Sequence, residues 1–532
     1  MVGYLYITLK ETEGGNMVKP TGTKRLWGVF AYALALSALV LFFCSKCSPA
    51  YPLNDWPDAN VFFSAGKAML QGKVIYRDLY DHKGPLLFFL HALCALLSTE
   101  SFIGVYLLEI LTNALFLLIA YRLIALYAND RLALCALPIM AVMLYTSISF
   151  QMGDSAEELT LPMVLWPLYQ FMVSLRTKEG QTSRFQLIVA GFLLGCIFWL
   201  KFTLVGMPAC ICLMLAWLGW KNNGLKGAAA NIGWMFFGFV LSTLPWLVYF
   251  WAVDGFLPFL KVYLYDNLFL YAGAKEPLTL AAQLKAIIKS ILSWIKDNPG
   301  YTLPLLISAM WLLLSKRFSW PEKITWALGA LLDMITVFFG GRYYLYYGFA
   351  FAAFLPLFFI VLGQWLAARK SPAADGSDGA ASLAKSFSKK ALAGIAVLTA
   401  LCIALCPLLS PNVKNGFLWE KDRLMQYRFA KIINQRENPT LLNYEFLDWG
   451  FYTAANVAPH LKYYHLPSMP LDELHSEQDR YVREGLSDFV VTRRPLREEL
   501  AGLYTLVDTC PAPADLWFTD VYLYQLTSQC TQ

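Results

Sequence analysis

Apolar runs of roughly twenty residues alternate with short polar connections along most of the chain, a pattern that suits membrane-crossing helices rather than soluble ones. Such runs lie near 27–45, 102–126, 132–150, 157–175, 186–200, 203–220, 229–251, 301–315, 322–340, 343–366 and 391–409, which predicts eleven crossings. Lys and Arg gather in alternate connections, at Arg122 and Arg131, at Arg176, Lys178 and Arg184, at Lys221 and Lys226, at Lys316, Arg317 and Lys323, and from Arg369 to Lys390. Basic loops mark the cytoplasmic side, so these connections and the tail 1–26, with Lys10, Lys19, Lys24 and Arg25, are expected inside. No small-residue cleavage site follows the first run, which is expected to stay as an anchor.

The apolar run 86–98 is too short to cross about 30 Å of hydrocarbon at about 1.5 Å per residue, and counting it would invert the basic loops downstream. It predicts a juxtamembrane helix, with residues 46–101 wholly outside. Residues 371–388 are small, polar and contain Pro and Gly, the composition of a flexible cytoplasmic linker. Beyond residue 410 the pattern becomes that of a soluble domain. Short β-like runs at 440–442, 488–491, 504–507 and 521–526 alternate with polar helical stretches at 420–435 and 472–485. Residues 411–532 therefore predict a small extracytoplasmic α/β domain, following a transmembrane domain of 27–410. The last two runs predict an antiparallel hairpin, which would hold Cys510 and Cys530 too far apart for a disulfide.

Composition agrees with the pattern. Of 532 residues, 58% are hydrophobic and 15% charged, against about 45–50% and about 25% in soluble domains. The net charge of +6 is uneven, since residues 411–532 carry −4 and the membrane-flanking remainder +10. A basic excess in loops of that kind does not point to nucleic acid, which calls for Lys and Arg on one soluble face. Most of the 11 Cys lie in apolar runs, and Cys44 and Cys47 form a CxxC without a second ligand pair, so nothing in the spacing supports a metal.

Charge concentrates in the segment 46–101. Asn54-Asp55-Trp56-Pro57-Asp58-Ala59-Asn60 opens it, and Tyr76-Arg77-Asp78-Leu79-Tyr80-Asp81-His82-Lys83-Gly84-Pro85 packs five acids and bases into eight positions at a membrane surface. Taken alone, these could be solvated charges beside lipid headgroups. Gly153-Asp154-Ser155-Ala156-Glu157-Glu158 and Gly340-Gly341-Arg342-Tyr343-Tyr344-Leu345-Tyr346-Tyr347 stand in later outer connections. Glu157 and Glu158 are adjacent on a helix and cannot face the same way.

An Asp ahead of a helix ending in Met69-Leu70, Gly72 two residues on, a Tyr-x-Asp and a Lys before a Pro-initiated apolar helix resemble the first outer loop of GT-C-fold glycosyltransferases. That superfamily includes protein O-mannosyltransferases and the lipid A aminoarabinose transferase. The resemblance covers roughly 27–410. It departs from the family in Lys-Gly-Pro for the commoner Lys-Pro and in Tyr346 where His is usual. It implies a polytopic helical fold of about eleven crossings with juxtamembrane helices in the first outer loop. Asp58 matches the family's first-loop acid and becomes the expected base, with Asp55 its competitor and Glu157 a further catalytic candidate. Lys83, Arg342 and Lys201 are the expected ligands of the donor phosphate. Asp154, Asp78, Asp81, His82, Tyr343 and Tyr346 are the expected substrate contacts. Arg342 and Lys201 also suit interfacial anchors, and the Tyr cluster suits an aromatic belt.

What the resemblance implies is transfer of a sugar from a polyprenyl-phosphate donor to a hydroxyl of a glycan, lipid or protein, at the outer face of the cytoplasmic membrane. No cofactor is implied beyond the lipid-linked sugar, and the membrane lipids themselves are partners. Two other functions compete: a transporter or flippase for a lipid-linked or polar solute, and a polysaccharide polymerase or ligase. Transporters place ionisable groups near the bilayer midplane in repeated halves, whereas here Glu109 and Asp333 are the charges within spans and no repeat is visible.

Overall fold

The computed structural model describes residues 23–177, 180, 182–270, 279–370, 388–512 and 519–527. Most of the expected cytoplasmic tail, most of the linker 371–388, and Cys530 lie outside the described residues. The described chain folds into two compact units.

The first unit, drawn from residues up to Ser45, Leu107–Leu244 and Leu280–Asn415, is helical. Every expected span falls on a helix. Thr23–Cys44, Ile103–Tyr127, Asp130–Tyr145, Ala156–Ser174 and Arg184–Leu200 come first, then Gly206–Ala252. That 47-residue stretch is broken at Asn223 and Gly224, where Gly224 takes φ +62°, so the two runs expected at 203–220 and 229–251 are separate rods. Pro299–Leu314, Trp320–Val337, a 3-10 turn Leu345–Phe354 running into Leu355–Lys370, and Lys389–Leu409 complete the set. Five of these stretches are long and apolar enough to cross a membrane: Lys24–Cys44, Ile103–Tyr127, Gly206–Ala252, Leu345–Arg369 and Lys389–Leu409. The rest run 16 to 19 residues. Among the longer elements, the amphipathic helix Leu280–Asp297, which buries Ile287, Ser290 and Trp294, was not expected, nor was the π-helix Leu260–Leu270 of the second unit.

The second unit joins Lys46–Tyr106, Pro245–Thr279 and the chain from Gly416 onward. Two helices, Pro57–Leu70 and Pro85–Ala95, form the expected 46–101 segment. Each begins at a proline, whose fixed φ and missing N–H suit the first helical position. They pack closely: a Cβ on Gly66 would come within 2.7 Å of the Ala92 backbone nitrogen, and the Phe62 ring meets His91 at 5.5 Å. The expected α/β domain is a four-stranded sheet of β1 (Leu441–Asn443), β2 (Phe489–Thr492), β3 (Tyr504–Pro511) and β4 (Asp520–Leu526), in the order β1-β2-β4-β3. β1 and β2 are parallel, with the helix Asp472–Arg483 in the crossover, and β3 and β4 form the expected hairpin.

A buried polar seam ties this sheet domain to the helix Pro57–Leu70. Ser64 Oγ donates to Asp448 Oδ2 at 2.7 Å, Lys67 Nζ donates to the Tyr452 carbonyl at 2.9 Å, and Thr453 Oγ1 donates to Asn60 Oδ1 at 3.0 Å. Lys67 is 3% exposed, and burial pushes its ammonium down to about 8 from the ordinary 10.5, partly offset by the charge of Asp448. Between those pH values the unfolded chain binds the extra proton, so stability rises with pH across this window. The full effect is about 3 kcal/mol. Denaturation of the detergent-solubilised protein should therefore show a midpoint that climbs from pH 8 to 10.5, and Lys67→Met should flatten that rise. An unchanged profile in Lys67→Met would show that Lys67 keeps its ordinary proton affinity in the fold.

Candidate functional site

The helix Pro57–Leu70 and the loop 76–83 place the chemistry of the second unit. Asp58 stands in the first turn of its helix, where the backbone N–H groups favour negative charge. Lys83 precedes the N-cap of Pro85–Ala95, and its Nζ reaches 3.9 Å from Asp58 Oδ2 and 5.6 Å over the Phe62 ring. Its backbone is fixed at both ends: the N–H donates to Asp81 Oδ1 at 2.9 Å, and the carbonyl accepts from the Tyr76 hydroxyl at 2.6 Å. The Asp58 side chain keeps 27% of its surface open and Lys83 12%. At 3.9 Å the pair attract without forming a hydrogen bond to each other.

Asp81 is 4% exposed, and burial raises its carboxyl pKa against the pull of Lys83. His465, from the sheet domain, brings Nε2 to 3.9 Å from Asp81 Oδ2. Burial pushes that imidazole down to about 4, so it is neutral at pH 7. His82 is buried, and its carbonyl accepts from Asn267 Nδ2 at 2.7 Å.

The other candidates of this unit have different work. Asp55 lies 2.5 Å from Lys46, whose side chain is only 3% exposed, so that carboxylate neutralises a buried amine. Asp78 pairs with Arg77 at 2.8 Å and accepts the Val74 N–H at 2.8 Å. The Arg77 guanidinium holds its carboxyl below the usual range. Asp78 thus closes the turn that Tyr76, at φ +73°, begins.

The first unit holds its own cluster. Lys201 sits at the break after Arg184–Leu200, where the backbone turns to extended φ/ψ. Its Nζ lies 2.5 Å from Glu157 Oε1, 4.0 Å over the Tyr347 ring and 5.0 Å over Tyr346. Glu157 is fully buried in the first turn of Ala156–Ser174. Glu158 turns the other way, toward Glu109 and Asp154, as adjacent helical positions require. Asp154 is fully buried at φ +68°, and its N–H donates to Glu109 Oε1 at 2.9 Å. Arg342 is half-buried in the turn ahead of the 3-10 helix, and Tyr343 beside it is half-buried 6.3 Å from the Phe338 ring.

The structure thus brings Asp58, Lys83 and Asp81 together in one unit, and Glu157, Lys201 and Tyr346 in the other. Residue reasoning missed His465 and the buried Lys67–Asp448 pair, because a single His and a single Lys carry no spacing signal. Among the described residues no three His, Cys, Asp or Glu side chains converge to hold a metal.

No protein-family model and no curated protein matches the chain. Solved structures do. ArnT from Cupriavidus metallidurans bound to undecaprenyl phosphate aligns over 94% of this chain and 98% of its own, at 13% identity and a TM-score of 0.56. The apo form of the same protein aligns over the same shares at 13% identity and 0.55. An Archaeoglobus fulgidus oligosaccharyltransferase covers 87% of this chain and 67% of its own at 12% identity, and its TM-score of 0.45 adds nothing to the assignment. With long apolar helices and a small C-terminal sheet domain arranged in the ArnT fold, the chain is a multi-pass membrane protein of the GT-C fold.

Proposed function

We propose that this protein transfers a sugar from a polyprenyl-phosphate donor to a hydroxyl of a glycan, lipid or protein acceptor at the outer face of the cytoplasmic membrane, with inversion at the anomeric carbon. The observation that carries this is the Asp58–Lys83 pair, set 3.9 Å apart, one in a proline-initiated helix and the other just ahead of a second. Asp58 takes the acceptor hydroxyl's proton as its oxygen bonds to the anomeric carbon. The bond from that carbon to the phosphate oxygen breaks on the opposite face, and the departing phosphate keeps the electron pair. Its charge grows along the reaction, so a fixed ammonium at Lys83 favours the transition state over the ground state. The tight Lys46 pairing of Asp55 supports Asp58 over Asp55 as the base. The ArnT fold, solved with undecaprenyl phosphate bound, supports a lipid-phosphate donor. The orientation rests on the basic loops, and the packing of 46–106 with the sheet domain supports one side for both.

Asp58→Asn keeps the size and removes the base, and should lower transfer by about 10²- to 10⁴-fold while donor binding persists. Near-normal transfer by this variant would remove Asp58 from the chemistry. Lys83→Ala should weaken undecaprenyl-phosphate binding by about tenfold, the value of about one charge-assisted hydrogen bond. Unchanged affinity would make Lys83 a loop residue only. Cysteines placed at the exposed Thr99 and Ser476 should react with an impermeant thiol reagent from outside intact cells, measured against the unsubstituted protein. Labelling of either from the cytoplasmic side would invert the orientation.

A further inference from the structure

A cleft of about 580 Å³ in the second unit takes no part in the chemistry above. Tyr76, Tyr80 and Tyr463 back its floor, each less than 4% exposed, with the Tyr80 and Tyr463 rings 5.6 Å apart and tilted by 42°, so the ring face open to a ligand is that of Tyr265. Its rim carries Lys261, Tyr265 and Lys462. Lys261 and Tyr265 belong to the π-helix Leu260–Leu270, an element whose widened turn is uncommon and concentrates at functional sites. Tyr265 is 54% exposed although it is a large aromatic beside a cavity.

We propose that this cleft binds a carbohydrate, the saccharide end of the acceptor; the acceptor role rests on the transferase reading. A sugar ring presents C–H faces that pack on aromatic rings and a hydroxyl edge that needs both donors and acceptors. The cleft supplies both. The Tyr80 hydroxyl donates to Asp266 Oδ2 at 2.9 Å, Lys261 Nζ stands 3.5 Å from Asp266 Oδ1, and Asp266 is fully buried behind them. The Tyr463 hydroxyl donates to Glu473, a further wall residue. A prenyl tail would strip water from Lys261, Lys462 and Glu473, and a phosphate would meet the Glu473 carboxylate in the wall. The volume falls within the roughly 300–1,000 Å³ of small-molecule sites.

The cleft is also stitched to the reactive loop. Tyr80 N–H donates to the Lys462 carbonyl at 2.9 Å, Asn267 of the π-helix holds the His82 carbonyl at 2.7 Å, and the Tyr76 hydroxyl holds that of Lys83 at 2.6 Å. A sugar seated here therefore lies against the segment that positions Lys83.

The test uses the full-length protein in lipid nanodiscs and saturation-transfer NMR with cellobiose, maltose, mannobiose and N,N′-diacetylchitobiose. At least one disaccharide should receive saturation, with affinity at least tenfold weaker in the double variant Lys261→Ala/Tyr265→Ala. Both residues are more than half exposed, and because Asp266 then keeps only its hydrogen bond from Tyr80, the single variant Tyr265→Ala, which leaves the Lys261–Asp266 pair intact, should weaken disaccharide binding as well. Undecaprenyl-phosphate affinity of the same variant should stay within twofold. No saturation of any of the four, or equal saturation in variant and wild type, would overturn the site. So would a loss of undecaprenyl-phosphate affinity instead, since the cleft would then hold the donor. Sugar binding here together with full transfer by Asp58→Asn would remove the proposed base and leave this site standing.

Discussion

A buried polar seam between the helix Pro57–Leu70 and the sheet domain sets where Asp58 stands, and Lys67 and Asp448 are its two charged members. Lys67 and Asp448 are both buried, one on the helix Pro57–Leu70 and the other in the sheet domain. Burying either alone would cost several kcal/mol, roughly 3–5 by analogy with broken buried pairs. Nine residues separate Lys67 from Asp58 on the same helix, about 13 Å at about 1.5 Å per residue. Fixing the Lys67 end of a rigid rod therefore fixes where the Asp58 carboxylate stands.

The other charge pairs differ in how tightly they close. Lys46 with Asp55 and Lys201 with Glu157 meet at 2.5 Å, and each includes a group that is almost or fully buried. In each of these pairs the ammonium and one carboxylate oxygen meet directly. Lys83 and Asp58 stop at 3.9 Å with part of both side chains open. The proposed chemistry uses this wider-set pair. The loop around it is held firmly by Asp78, Asp81 and Tyr76, so the opening belongs to the side chains rather than to the backbone.

Much of the fold was legible because hydrophobic periodicity and turn chemistry act locally. The expected spans fall on helices, the short run 86–98 became the 11-residue helix Pro85–Ala95, and the hairpin formed where its β-like runs stand. The helix Leu280–Asp297 was missed because Lys285, Lys289 and Lys296, on the face opposite the buried Ile287, Ser290 and Trp294, break the linear apolar run and hide it from a search for long ones. The grouping of 46–106 with the sheet domain was hidden too, since it depends on contacts such as Ser64–Asp448 across 384 positions. Asp58 and Lys83 were singled out by their match to the GT-C first-loop pattern, and their 3.9 Å approach needed the coordinates. The structural duties of Asp55 and Asp78 required the coordinates of Lys46, Arg77 and Val74.

The central claim is that Lys83 faces a lipid-linked phosphate while Asp58 faces the incoming hydroxyl. A cryo-EM map of the full-length protein with undecaprenyl phosphate tests it most directly. The phosphate should lie at charge-assisted hydrogen-bond distance from Lys83 Nζ, about 2.7–2.9 Å, with the Asp58 carboxylate open on the side away from the phosphate. A phosphate bound elsewhere, with Lys83 still facing Asp58 alone, would contradict it.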